Sequence, residues 1–250
     1  MRVHAFHRLY QHRLDRSTKP FIARGCKVVR CPYCQVAQSY CLCAHQPNIE
    51  CGVQVLLIVS DNEVFKPSNT GRLIADTVRE THVYQWQRTE PDPDMLALIA
   101  DPSNAPVLVF PDAYVDDNSR LVTPEWIQSQ SVKQPNKTPL LILFDGSWRE
   151  ARKMFRKSPY VAHLPVVSLT PESVSQYLIR RSDNEQHLAT AEVASLLLAQ
   201  LGEVKASRTL SNWFSVFREA YLLTKSRGLG DATRPALKHF IEQSQNENSL

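Results

Sequence analysis

The chain has 250 residues, 43% of them hydrophobic and 22% charged, with a formal net charge of +4. That is enough apolar material for one α/β domain with a small appendage, and it excludes a disordered protein. No apolar run approaches the roughly 18 residues of a membrane span, and the N-terminus "MRVHAFHRLYQHRLDRSTKPF" lacks a secretory apolar core, so a soluble cytoplasmic protein is expected.

Charge is distributed unevenly. Residues 1–30 carry eight Lys/Arg against Asp15 alone, a local charge of +7, so the other 220 residues sum to −3. A basic arm that meets phosphate is expected, with an Arg-rich transit peptide as the competing reading. All six cysteines follow closely, between Cys26 and Cys51. In a chain without an export signal they point to metal or reduced thiols rather than disulfides. "C-PY-C-QVAQSY-C-L-C" pairs Cys31 with Cys34 and Cys41 with Cys43. Two close thiolate pairs suit a tetrahedral structural Zn²⁺, and the alternation of an extended Cys-x-Cys puts both of its thiols on one face. Cys26, His45 and Cys51 are spare ligand candidates.

Short apolar runs then recur at 53–60, 82–87, 105–113, 140–145 and 164–169, with helix-like stretches such as "GRLIADTVRE" and "DMLALIA" between them. Apolar strands alternating with helices predict a mainly parallel sheet covered on both faces. The polar, proline-bearing stretch 115–139 is expected to be a long loop or insertion. Further on, Thr190 is expected to cap a helix over "AEVASLLLAQLG" that stops at Gly202. Leu210, Trp213, Phe214, Phe217 and Tyr221 recur every three or four residues, an apolar stripe expected in the core. The organisation predicted is an arm and zinc module over 1–51 and one α/β domain over 52–250.

Two features carry chemistry. Asp145 follows five apolar residues, and ligands of open parallel sheets bind beyond the carboxyl ends of strands. Asp145 is therefore a candidate base or cation ligand, with a helix N-cap as the competing role. Arg149, Arg152, Lys153, Arg156 and Lys157 then fall at i, i+3, i+4, i+7 and i+8, one stripe of mutually repelling charge that a polyanion would relieve. An ordinary solvated face is the bland alternative. The chain has no P-loop, G-x-G-x-x-G or G-x-S-x-G, and only seven glycines in all, which argues against ATP- or NAD-driven chemistry.

The cysteine quartet, "KPSNTGRLIAD" (66–76), "LVFPDAY" (108–114), "FDGSWREARKMFRKSPY" (144–160) and "ATAEVA" (189–194) together resemble the DTW-domain family of tRNA-uridine aminocarboxypropyltransferases over roughly residues 26–225. One departure is visible: Ser147 stands where the family's naming triad usually has Thr. The resemblance implies a knotted, SPOUT-like α/β fold. It also implies transfer of the 3-amino-3-carboxypropyl group of S-adenosylmethionine to N3 of a tRNA uridine. On that basis Asp145 is the catalytic residue, as base or as ligand of the cofactor's amino group. Thr70, Gly71, Arg72, Phe110, Pro111, Ser147, Trp148, Thr190 and Glu192 surround the co-substrate, and the basic stripe meets tRNA. A SPOUT-type RNA methyltransferase and a non-catalytic zinc RNA-binding module are the alternatives.

Overall fold

A computed structural model of the chain describes residues 1–18, 28–169, 188–225 and 230–247. The six described strands are β1 (Gln54–Val59), β2 (Thr81–Gln85), β3 (Asn104–Val109), β4 (Leu121–Val122), β5 (Thr138–Asp145) and β6 (Val166–Val167). They form one sheet in the order β2-β1-β5-β3-β6-β4, parallel throughout. After β1 the chain moves outward to β2, and after β3 it moves outward the other way. β5 fills the gap between these departures, which is where α/β sheets open a crevice at their carboxyl ends.

Strand alternation divides the apolar residues into two cores. Val55, Leu57, Val59, Leu141 and Leu143 face one side, against α2 (Gly71–Thr77), α6 (Thr190–Gln200), α7 (Val204–Thr224) and the N-terminal α1 (Ala5–Asp15). Leu56, Ile58, Leu140, Ile142 and Phe144 face the other, against α3 (Pro93–Ala100) and α5 (Trp148–Lys157). The remaining described helices are α4 (Pro124–Lys133) and α8 (Pro235–Glu247). The expected stripe of α7 lies in the first core, with Leu210, Trp213, Phe214 and Phe217 buried. Gly202 ends α6 as expected. At φ 83° its backbone allows Glu203 N–H to donate to Leu198 O (2.9 Å) and satisfy an end-of-helix carbonyl.

Two local expectations are corrected, and one helix is added. The stretch 115–139 is not a plain loop: it holds β4 and α4, whose N-cap Thr123 accepts from Trp126 N–H, with Pro124 in the first turn. α4 buries only Pro124 and Ile127, too narrow a face to register as periodicity. The helix that follows 189 begins with Ala189 as its cap, because the Thr190 hydroxyl is drawn to Asp145 instead. Finally, residues 5–15 of the basic arm are a helix. Phe6, Leu9 and Tyr10, at i, i+3 and i+4, dock on the first core, an apolar face that the surrounding charge hides in sequence.

Candidate functional site

Asp145 closes β5, and the odd-numbered residues of that strand point into the first core. Its carboxylate therefore turns toward α2 and α6, away from α5, and is only 2% exposed. Oδ2 accepts from Asn69 Nδ2 at 2.6 Å and Oδ1 accepts from Thr190 Oγ1 at 2.7 Å. Asn69 is itself fixed by accepting from Arg72 N–H at 2.9 Å. Gly71 sits so close that a Cβ there would fall 2.4 Å from Asp145 Oδ2; no side chain is possible at that position without moving the carboxylate. Burial, reinforced by the nearby Glu63 carboxylate, raises the Asp145 pKa to about 6 against the opposing hydrogen bonds of Asn69 and Thr190. Glu63 is in turn paired with Lys66 Nζ at 2.6 Å. A carboxylate has about four acceptor sites, so two hydrogen bonds leave room for a proton or a cationic group.

The N-cap of α5 is Ser147, not Asp145. Its Oγ accepts from Glu150 N–H at 3.4 Å, and Ser147 N–H donates in return to Glu150 Oε2 at 2.9 Å, a reciprocal cap. The competing structural role for Asp145 is thus already filled. Trp148 stacks on Phe110 (centroids 5.7 Å, 13°), which also stacks with Phe155 (4.2 Å, 7°). Tyr114 meets Trp148 edge-on at 5.3 Å, and both rings remain 37% exposed. Arg152 lies over both Trp148 and Tyr114, 5.9 Å from each centroid. Arg149, Lys153, Arg156 and Lys157 are solvent-exposed, and the first three border one shallow depression.

The other expected co-substrate residues divide. Thr70 caps α2 half-buried beside Gly71, and Pro111 follows Phe110 at the surface. Glu192 is buried and accepts from Ala189 N–H at 2.7 Å, holding the turn that presents Thr190. Arg72 is buried, and its guanidinium turns toward the cysteine module, donating to Cys34 O at 2.9 Å and lying 5.4 Å over the Phe217 ring. Asn69, Glu63 and Lys66 join the site without having stood out in sequence. Lys66 and Asn69 fall inside the "KPSNTGRLIAD" stretch that carries the family resemblance, the signal that could have found them.

The cysteine quartet closes as its spacing predicts. Cys31 Sγ and Cys43 Sγ are 3.5 Å apart, Cys34 Sγ and Cys41 Sγ 3.9 Å, and all four sulfurs lie within 4.8 Å of one another. An ion with metal–sulfur bonds of about 2.3 Å in tetrahedral geometry needs sulfurs about 3.8 Å apart, so the quartet can hold one metal ion. Gln35 supplies the tight turn of the first knuckle at φ 62°, and Cys31 N–H donates to Val36 O. Cys51 stands apart, donating to Val53 O, while Cys26 lies outside the described residues. The module is not an appendage: Cys31, Cys34, Val36 and Leu42 share a continuous core with α2 and α7.

A second buried cluster centres on the last residue of the "KPSNTGRLIAD" stretch, to which the sequence assigned no role. Asp76 of α2 accepts from His4 Nε2 (2.8 Å), Gln46 Nε2 (2.7 Å) and Trp213 Nε1 (3.0 Å), tying α1, the cysteine module and α7 to one carboxylate. Burial opposes its ionisation, yet the His4 and Trp213 hydrogen bonds and the Arg72 guanidinium hold its pKa at about 2. His4 and His7 stack at 3.7 Å, and burial lowers both pKa values, that of His7 to about 3, so both rings are neutral at pH 7.

Among the described residues no helix is long and apolar enough to cross a membrane. No solved structure gives a significant match. The chain is 38% identical over 61 residues to tRNA-uridine aminocarboxypropyltransferase 2 of Drosophila melanogaster, covering 24% of each chain. It is 23% identical over 177 residues to the protein of the same name from Macaca fascicularis, covering 68% of this chain and 56% of that one. It therefore spans little more than half the length of these relatives at most. The DTW domain family model matches residues 28–222, which takes in the cysteine quartet, the Asn69–Gly71 turn, Asp145, α5 and Thr190, and the chain belongs to the DTW domain family.

Proposed function

We propose that the protein is a tRNA-uridine aminocarboxypropyltransferase. It moves the 3-amino-3-carboxypropyl group of S-adenosylmethionine to N3 of a uridine and releases methylthioadenosine. The observation that carries this reading is the buried Asp145 carboxylate, held by Asn69 and Thr190 at the end of the central strand with a pKa near 6. Uridine N3 bears a proton at neutral pH. As N3 attacks the chain carbon attached to sulfur, the new C–N bond forms and the C–S bond breaks. The electron pair leaves on sulfur, giving a neutral thioether, and the N3 proton passes to Asp145. A base with pKa near 6 is ionised at pH 7 yet basic enough to take the proton in the transition state.

The surroundings suit both reactants. Thr70, Gly71 and Thr190 offer hydroxyl and backbone groups beside the carboxylate, while Glu192 and Arg72 brace the turns that carry them; Pro111 and Ser147 follow the carboxyl ends of β3 and β5 and are proposed to reach the co-substrate from the side of α5. The exposed faces of Trp148 and Tyr114 offer flat surfaces for a nucleobase. Sulfonium carbons other than the transferred one are also electrophilic, so product identity rests on positioning. The SPOUT-like knot implied by resemblance is part of the same proposal. Mass spectrometry of tRNA after incubation with S-adenosylmethionine tests the reaction. Gain of the aminocarboxypropyl group is expected; gain of one methyl would make the protein a methyltransferase, and no change would leave a binding module.

The tRNA is proposed to meet Arg149, Lys153 and Arg156, which share one exposed face. Replacing all three by Gln should weaken tRNA binding and flatten its salt dependence by roughly 0.7–0.9 log–log units for each phosphate no longer neutralised. Unaltered affinity and slope in a variant with normal circular dichroism would reduce the stripe to a solvated face. Arg152, engaged with Trp148 and Tyr114, should instead affect the aromatic surface.

The four cysteines are proposed to hold Zn²⁺, which would neutralise thiolates and fix the module against α2 and α7. Purified protein should contain about one zinc per chain, and a Cys31→Ala/Cys43→Ala variant should contain none. Because the module shares the core, that variant should also melt at lower temperature, with its sheet retained. Zinc retained by the double variant would overturn the ligand set.

A further inference from the structure

The basic arm, which the site around Asp145 does not use, becomes part of a groove. α1 runs alongside β2, the edge strand of the sheet. Near its start Arg2 donates to Ala75 O at 2.6 Å, and near its end Arg13 pairs with Asp61, which also accepts from Gln85 Nε2 at 2.8 Å. Between helix and strand lies an open groove of about 1050 Å³, lined by six arginines and three carboxylates. Three of the arginines are engaged: Arg2 with backbone carbonyls, Arg13 with Asp61 and Arg79 with Glu50. Arg8, Arg16 and Arg88 are exposed and make no ion pair among the described residues.

Their placement is ordered. Arg8, His12 and Arg16 fall at i, i+4 and i+8, so they form one exposed stripe along α1. On the strand side, Val83 faces α1, while His82, Tyr84 and Trp86 alternate onto the far face of the β2 edge, half-buried, with Tyr84 and Trp86 packed on the second core, and Arg88 follows. An 11-residue helix is about 16 Å long, roughly the span of four or five phosphates on a stacked strand at about 3.4 Å each. Guanidinium groups spaced along such a length, with aromatic side chains just around the strand edge, match a nucleic-acid strand that wraps that edge.

The groove also continues into the α5 stripe. Arg88 and Thr89 border both the groove and a second depression with Phe155, Arg156 and Lys157. Lys153 Nζ lies 5.3 Å over the Trp86 ring, and Trp86 Nε1 donates to Ser158 Oγ at 2.9 Å. α1 packs on one face of the sheet and α5 on the other, so a single basic track wraps the β2 edge from one to the other. We propose that the α1–β2 groove is a second RNA-binding surface, which grips the phosphodiester backbone of the substrate RNA at a distance from the target uridine. Arg8, Arg16 and Arg88 meet phosphates, and Tyr84 and Trp86 meet bases. This rests on the reading that the substrate is RNA, and it adds where the rest of that RNA lies.

Two measurements on the full chain test it. The first is ultraviolet cross-linking of wild-type protein to tRNA followed by tryptic digestion. The peptide of residues 80–88, bounded by Arg79 and Arg88 and holding Tyr84 and Trp86, should carry an RNA adduct. The second compares wild type with an Arg8→Gln/Arg16→Gln/Arg88→Gln variant in tRNA binding across salt concentration. With three phosphates no longer neutralised, the log–log slope should flatten by roughly two to three units. Wild-type affinity and slope in the variant would overturn the proposal, whatever the adducts. If the variant instead loses only its capture of an acidic polypeptide such as polyglutamate, the groove belongs to an acidic protein and the proposal also falls. Wild-type protein that binds tRNA through the groove yet transfers no group would sink the proposed reaction while upholding this surface.

Discussion

Asp145→Asn is expected to lower transfer about 10²–10⁴-fold, the usual consequence of deleting a general base, and to raise stability at the same time. The second effect follows from the raised pKa. An ordinary unfolded Asp titrates near 3.8 and the folded one near 6, so between those values the native state holds the extra proton. Its stability therefore falls as pH rises through that window and stays lower above it. The gap of about two units corresponds to about 3 kcal/mol, an upper limit on what neutral Asn recovers at pH 8. Asn keeps an acceptor for Asn69 and a group for the rotatable Thr190 hydroxyl, so the site should not collapse. Wild-type transfer should itself drop about tenfold per pH unit below about 6 as the base is protonated. Thermal melts and single-turnover rates, each across pH, make the comparison. A variant with near wild-type turnover would put the base elsewhere, and one that is inactive but markedly less stable would make Asp145 a structural group.

Asp76→Ala should act in the opposite sense on stability. Asp76 is the shared acceptor of His4, Gln46 and Trp213, and its charge faces the buried Arg72 guanidinium. Removing it strands three donors and a buried cation, a loss of about 3–5 kcal/mol. For a chain of this size each kcal/mol moves the melting temperature by about 2–4 °C, so a fall on the order of 10 °C is expected. Since the folded pKa lies near 2, below the unfolded value, the Asp76 contribution is complete above about pH 4 and is lost as pH falls toward 2. The neutral buried His4 and His7 add acid sensitivity sooner, because the unfolded chain takes up their protons below about 6.5. Unfolding by denaturant at pH 7 measures the first effect. A change below about 1 kcal/mol would mean that water reaches the stranded donors.

The comparison of these two aspartates also marks what could be read from the chain. Asp145 announces itself, because a carboxylate that ends a run of five apolar residues must lie at the mouth of a buried strand. Asp76 looks in sequence like any acid late in a short helix, and only folding buries it among His4, Gln46 and Trp213. Five of the six described strands, the Gly202 helix stop, the α7 stripe and the cysteine quartet were legible for one shared reason: each is written in spacings of a few residues. α4 and α1 were not, since one buries too few side chains to set a period and the other hides three apolar residues among arginines and histidines.

By itself, then, the sequence determined a parallel α/β sheet, a local thiolate cluster, an aspartate at the end of the central strand and a basic helix after it. These follow from backbone periodicity and from ligand spacing, which act over one or two turns. Only the tertiary structure decided that Asp145 faces α2 and α6, with partners 76 and 45 residues away, and that α5 lies on the opposite face of the sheet. It alone turned Arg72 from the loop beside Asp145 to the cysteine module and laid α1 along the edge of β2. Neighbours from distant segments are chosen by which surfaces bury the most apolar area together while satisfying their buried polar groups, a competition among whole elements that no local spacing encodes.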